Sequence, residues 1–254
     1  MMNMTPAVKQ LLIINILFYI GSNIVGPAAY TVLAEFFPEN PNFNFWQPLT
    51  SMFMHAPVMG GIGITHILFN MIALVSFGSL LENMWGAKKF LFFYISAGLG
   101  AIALHIAINY LLFNEGLQAL VDNGLTKQQV LMAFDTRNFT AFEGKIEIPD
   151  FEKMASAYYG TAVGASGAIY GLLVAFAMLA PNAELMLMFI PVPIKAKYFV
   201  PGLLAVDLYL GITGKSIFGS GGGVAHFAHI GGAIVGFIMM WYWKKNSFNN
   251  KRWD

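Results

Sequence analysis

Cysteine is absent from the 254-residue chain, which excludes disulfide scaffolding, thiolate nucleophiles and cysteine-ligated zinc. Charge is scarce as well. Only 11% of residues are Asp, Glu, Lys or Arg, and 14 basic against 13 acidic residues leave a formal net charge of +1. No basic patch with interleaved aromatics stands out, so nucleic acid is not an expected partner. No internal repeat and no separate soluble domain are evident. What is abundant is apolar: 57% of residues are hydrophobic and the mean hydropathy is +0.62, outside the soluble range.

These numbers point to an all-α polytopic membrane protein with one domain over residues 1–254 and membrane lipids as its surroundings. Six stretches approach the roughly 20 apolar residues that a bilayer crossing requires, near 11–30, 58–82, 89–113, 160–180, 198–213 and 224–243. The fifth is the shortest, with Pro201 and Gly202 near its start and Lys197 and Lys215 bounding it. Lys9 followed by an apolar run ending in "GPAAYT" has some character of a secretory signal. The run is long for such a segment, and it is read as a retained span.

Short-loop lysines orient the spans. With the N-terminus in the cytoplasm, Lys9, Lys88, Lys89, Lys195, Lys197, Lys244, Lys245, Lys251 and Arg252 all fall inside. Five basic residues remain outside, four of them in the long acidic stretch from Asn114 to Lys153. Positive-inside bias therefore predicts both termini on the cytoplasmic side. Spans two, four and six then run from outside to inside, and their polar residues share a level.

Those residues have chemical potential. Ser166 follows Gly160 by six residues, or about 9 Å if the whole stretch is helical. His226 and His229 occupy the first turns of span six, and "THILFN" puts His66 and Asn70 one turn apart on one face of span two. Gly160, Gly164, Gly167 and Gly171 line one side of span four, while Gly232 and Gly236 give span six a Gly-x-x-x-Gly pair. Small faces let membrane helices approach until a short serine reaches an imidazole. His66, Asn70 and the Ser166 backbone N–H are candidate donors for a developing oxyanion. Tyr170, one turn after Ser166, could pack on His229 and restrain its ring.

Each residue also has a packing explanation. Serine among glycines is common at helix interfaces, and Asn70 could simply bond between helices. An ionisable group at membrane depth is costly, which raises interest in His229. His226 reads as a rim residue or structural donor, and His105 as a hydrogen bonder between helices. Glu82 could anchor a cytoplasmic turn or pair across helices. Asp207, in mid-span five, reads as structural or as part of a hydrated cavity. No acid lies near either histidine in the sequence, so a Ser166–His229 dyad is the natural catalytic arrangement. His226 and His229 make half of a metal site, but there is no H-E-x-x-H and span four supplies no ligand. Neither a metal nor a cofactor is expected.

Together these segments resemble the rhomboid family of intramembrane serine proteases, over about Trp46–Trp243. "HILFN" is similar to the family's His-x-x-x-Asn, "GASG" to its Gly-x-Ser-Gly, and "AHIGGAIVG" to its Ala-His-x-x-Gly-x-x-x-Gly. The resemblance implies a six-transmembrane-helix bundle, Ser166 as nucleophile, His229 as base, His66 and Asn70 as oxyanion donors, and Tyr170 in the aromatic position after the serine. It implies cleavage of single-pass or other transmembrane proteins, with a movable fifth helix and a cap at "GKSIFGSGGG" admitting substrate. The family's Trp-Arg pair reads Trp46-Gln47 here, and the loops before His66 and after Asn114 are long. A bacterial plasma membrane, with the active site opening outward, is the expected location. The rival reading is a non-catalytic rhomboid-like binder or degradation adaptor. A transporter has the broken fifth span and Asp207 in its favour, but no paired interrupted spans.

Overall fold

A computed structural model describes residues 4–59, 61, 63–187, 190–214 and 224–249. The fold is a polytopic helical bundle. Helix α1 (Pro6–Val25) begins with a proline, whose missing N–H costs nothing in a first turn. Its next free amides are met from another helix: Ala7 and Val8 donate to the Glu82 carboxylate at 2.9 Å each, and the Thr5 hydroxyl donates to it too. A buried carboxylate at a helix N-terminus is favourably placed against the helix dipole. Glu82 therefore pairs across helices, one of the two roles its position allowed.

Gly26, at φ +75, turns the chain into α2 (Pro27–Leu33). The first long loop follows, containing α3 (Gln47–Thr50) and a 3₁₀ turn at Ser51–Phe53. Its organiser is Gln47, which is fully buried. The Gln47 amide donates to the carbonyls of Thr31 (3.1 Å) and Asn42 (2.8 Å), and its oxygen accepts from the backbone N–H of Phe36 (3.4 Å) and Asn44 (3.1 Å). Trp46 adds an indole bond to Val32 O at 2.9 Å. Glutamine thus ties four backbone groups, from Thr31 in α2 to Asn44 in the loop, to one point.

Helix α4 (Gly63–Ala73), a π turn (Leu74–Gly78) and α5 (Ser79–Trp85) form one rod. Helix α6 (Ala87–Asp122) has 36 residues, or about 54 Å. That far exceeds a ~30 Å hydrocarbon core, so its end stands beyond the membrane. There it carries a second core. The stretch from Asn114 onward, expected as polar loop, instead folds as the last turns of α6, then α7 (Lys127–Thr136) and α8 (Ile148–Tyr159). Phe37, Phe113, Phe134, Phe142 and Tyr158 are buried together here. A capping box at Thr126 and Gln129 starts α7.

Among the described residues, α1, the α4–α5 rod and α6 are long and apolar enough to cross a membrane. The centre of the bundle is the shorter α9 (Ser166–Leu179), nine of whose 14 residues are buried. A β-hairpin (β1, Glu184–Leu187; β2, Ile190–Lys195) then leads to α10 (Ala196–Thr213). The hairpin has no counterpart in the sequence reading. Pro201 lies inside α10 rather than ending it. Helix α11 (Val224–Asn249) closes the bundle against α6 and α9. Of the expected cap, 214–223, all but Gly214 lies outside the described residues.

Candidate active site

The glycine run before Ser166 is not helical. Ala162 pairs with Glu35 through reciprocal backbone bonds of 3.0 and 3.1 Å, and the Gly164 N–H donates to Ser51 O at 2.9 Å. Gly164 has φ +132, a conformation that side chains resist. The first loop thus draws residues 160–165 away from α9, and the helix begins at Ser166. Gly160 and Gly164 leave the small-residue face expected of them, while Gly167 and Gly171 remain on it.

Starting at Ser166 has chemical consequences. The helical ladder opens with Ile169 N–H donating to Ala165 O at 3.0 Å, so the amides of Ser166, Gly167 and Ala168 precede it and have no carbonyl partner within the helix. They lie at the positive end of the helix dipole, where negative charge is stabilised. At 14 residues, or about 21 Å, α9 is shorter than the hydrocarbon core.

Glycine brings α11 alongside. A Cβ built on Gly232 would overlap the Gly167 carbonyl, and one on Gly236 would stand 2.7 Å from Gly171 Cα. Backbone contact at this range sets His229 beside the serine, with Nε2 2.9 Å from Ser166 Oγ. The Tyr170 ring stacks on the His229 imidazole, with centroids 4.2 Å apart and planes 9° from parallel.

His66 faces the same space from α4. The Ala56 N–H donates to its Nδ1 at 3.2 Å, which leaves the ring proton on Nε2. A Cβ on Gly164 would lie 3.1 Å from that Nε2 and 3.5 Å from Ser166 Oγ. Asn70 stands one turn behind and donates to His66 O at 2.7 Å, with its own side-chain oxygen buried and unpaired among the described residues. His55, in the first loop, packs against His66 with ring centroids 5.2 Å apart. Burial, reinforced by the neighbouring His66, pushes the His55 pKa down to about 3.

Asp207 and His226 have partners that the sequence left open. Asp207, read from sequence as a structural or cavity residue, places Oδ1 3.1 Å from His229 Nδ1 and 2.5 Å from His226 Nδ1. An acid missing from the histidines' sequence neighbourhood arrives from α10, 19 and 22 residues earlier. His226, read as a rim residue or structural donor, shares that carboxylate. The signal was a lone ionisable residue at membrane depth. One atom from each of Asp207, His226 and His229 lies within 4.8 Å of the others, a spacing that a cation could bridge. The separations of 2.5 and 3.1 Å are hydrogen-bond lengths. His105 lies away from this group and pairs with Glu35 at 3.2 Å, deep in the bundle.

A family model described as the Rhomboid domain matches residues 42–121 and 139–246. The chain is 26% identical over 219 residues to the human presenilin-associated rhomboid-like protein, mitochondrial, a match covering 85% of this chain and 42% of the relative. It is 27% identical over 181 residues to rhomboid protein 1, mitochondrial, of Saccharomyces cerevisiae, covering 71% of this chain and 38% of the relative. Over 67 residues it is 39% identical to the Bacillus subtilis rhomboid protease GluP, covering 26% and 12%. The chain spans less than half the length of these relatives.

Proposed function

Because the chain belongs to the rhomboid family, we propose that it is a serine endopeptidase that cuts transmembrane segments of other membrane proteins, with Ser166 as nucleophile and His229 as base. The observation that carries this reading is the 2.9 Å contact between Ser166 Oγ and His229 Nε2, at the start of α9, whose first amides have no carbonyl partner within the helix.

The chemistry follows from those positions. His229 Nε2 takes the hydroxyl proton as Oγ bonds to the scissile carbonyl carbon, and the C=O π pair moves onto oxygen. His66 Nε2–H, the amides at the start of α9 and the Asn70 side chain stabilise that oxyanion, on condition that the Asn70 amide turns from its own helix toward the substrate. Collapse of the tetrahedral intermediate breaks the C–N bond, and the imidazolium returns its proton to the leaving amine. Water then repeats the sequence on the acyl-enzyme and frees Ser166. Every proton moved is handled by the chain's own groups and water.

Short-loop lysines support an active site on the face opposite Lys88, Lys89, Lys195 and Lys197, with both termini cytoplasmic. The test is cleavage of a transmembrane model substrate by purified protein in liposomes, beside Ser166→Ala and His229→Ala. Cleavage by the parent and its loss in both variants is expected. A folded parent that neither cleaves a broad substrate panel nor takes a serine-directed fluorophosphonate would turn the assignment to a rhomboid-like binder or degradation adaptor.

A further inference from the structure

His226 takes no part in the Ser166–His229 contact, yet its ring is turned toward the same group of side chains. One ligand atom from each of Asp207, His226 and His229 lies within 4.8 Å of the other two. Both imidazoles direct Nδ1 at the carboxylate. The histidines are three residues apart on α11, which puts their rings on one face of that helix. Asp207 Oδ2 is buried and makes no hydrogen bond among the described residues, with the Tyr170 hydroxyl near enough to sense its charge.

We propose that Asp207, His226 and His229 form an inhibitory site for zinc, which seizes the base histidine by the nitrogen on the far side of the ring from Ser166; the effect on turnover rests on the protease reading above. Two imidazole nitrogens and a carboxylate oxygen are a zinc donor set, with a fourth position left for water. Hard cations fit it poorly. Magnesium and calcium take oxygen ligands, and the group offers two nitrogens.

Bond lengths near 2.0–2.2 Å place neighbouring ligand atoms of a tetrahedral zinc roughly 3.3 Å apart. The His229–Asp207 contact, at 3.1 Å, is close to that spacing. The His226–Asp207 contact, at 2.5 Å, opens by about 0.8 Å. Access favours the histidines, whose side chains are 15% and 22% exposed against 6% for the aspartate behind them. Water that hydrolyses the acyl-enzyme must reach His229, and an aqua ion takes the same route.

Inhibition follows from the two faces of one ring. A neutral imidazole bound to metal through Nδ1 carries its proton on Nε2. Each ring therefore loses hydrogen at Nδ1 and holds it at Nε2, with no net proton released. His229 Nε2, 2.9 Å from Ser166 Oγ, then donates to the hydroxyl and has no lone pair to take its proton. The metal and the general base exclude each other. His226 separates the two functions, because it belongs to the metal group and does not touch Ser166.

The experiment uses the purified full chain in liposomes: parent, Ser166→Ala and His226→Gln, with buffered free zinc as the probe and magnesium as the control ion. Competition with a chromophoric chelator counts bound zinc without calling on activity. Parent and Ser166→Ala should each bind one zinc in this group. X-ray absorption on zinc-loaded Ser166→Ala should show two imidazole nitrogens in the first shell at about 2.0–2.1 Å. Saturating zinc should slow fluorophosphonate labelling and turnover of the parent at least ~10-fold, since the general base is lost. A chelator should restore both, and millimolar magnesium should change neither. Each variant is compared with its own zinc-free rate, and final labelling counts its folded sites. His226→Gln should need at least ~10-fold more zinc for the same inhibition, because two ligands are too few to hold it. The proposal is overturned by a parent that binds no zinc at about 0.1 mM free ion, by a first shell without two imidazoles, or by a folded His226→Gln as zinc-sensitive as the parent. An inert, unlabelled parent removes the protease reading instead, while zinc binding to Ser166→Ala still decides the site.

Discussion

Gly167 and Gly232 meet backbone to backbone: a Cβ on Gly232 would overlap the Gly167 carbonyl. Gly167 follows Ser166 and Gly232 lies three residues after His229, so this contact sets the distance between the two reactive side chains. Dispersion contacts and close backbone approach, rather than a hydrophobic drive between helices, hold membrane helices together. Gly232→Ala should lower thermal stability and cost activity out of proportion to the folded fraction. Gly202→Ala, on α10 with open space around its Cβ position, should leave both near parental. Melting in detergent with turnover per labelled serine checks the pair, and equal tolerance of the two substitutions contradicts the argument.

Gly164 gives a more local test. A side chain there must adopt φ +132 and press within 3.1 Å of the His66 ring. Gly164→Ala should cost about 1–3 kcal/mol of stability from strain and displace the oxyanion donor, lowering kcat more than it raises KM. Steady-state kinetics on the folded fraction supply the measurement, and unchanged kcat counts against His66 as a donor.

Gln47→Leu should unpin the first loop. The substitution leaves the carbonyls of Thr31 and Asn42 and the amides of Phe36 and Asn44 without the partner they now share. Each buried, unsatisfied group costs about 1–3 kcal/mol, although water will reach some of them. A stability loss of about 2–4 kcal/mol is expected in denaturant or thermal unfolding, with Gln47→Glu milder because it keeps one acceptor.

His55 predicts acid sensitivity. Its folded pKa of about 3 lies below the ordinary 6.5, so the unfolded chain binds a proton that the folded chain refuses. The resulting stability is fully present above about pH 6.5 and is lost progressively as pH falls toward 3. Between pH 7 and 4 the loss attributable to this group is about 3 kcal/mol at most. His55→Phe should flatten that part of the pH-stability curve, and an unaltered curve would falsify the assignment.

Orientation can be read directly, because the chain has no cysteine to remove first. Gln128 in α7 and Lys88 in α6 are both exposed, near opposite ends of the bundle. With the chain placed in the plasma membrane of a bacterial expression host, an impermeant maleimide added to intact cells should label Gln128→Cys and spare Lys88→Cys. The reverse pattern inverts the topology.

Apolar content and run length were enough to identify a helical membrane bundle, because hydropathy is a local property of chain segments. Residue types at helical spacing likewise made Ser166, His229, His66, Asn70 and Tyr170 candidates for one site. The second core escaped notice because Phe113, Phe134, Phe142 and Tyr158 are dispersed among polar residues and gather only when α6, α7 and α8 fold together. Glycines near Ser166 seemed to continue a helix face, yet a backbone bridge to Glu35 across the fold makes them an extended approach. Asp207 gave no local sign of its partner. Its carboxylate reaches two imidazoles on another helix, and such a hydrogen bond depends on how α10 packs against α11. Periodicity and composition determined what each helix carries; packing between helices decided which side chains face one another, because contact distance is a property of the assembled fold and not of spacing along the chain.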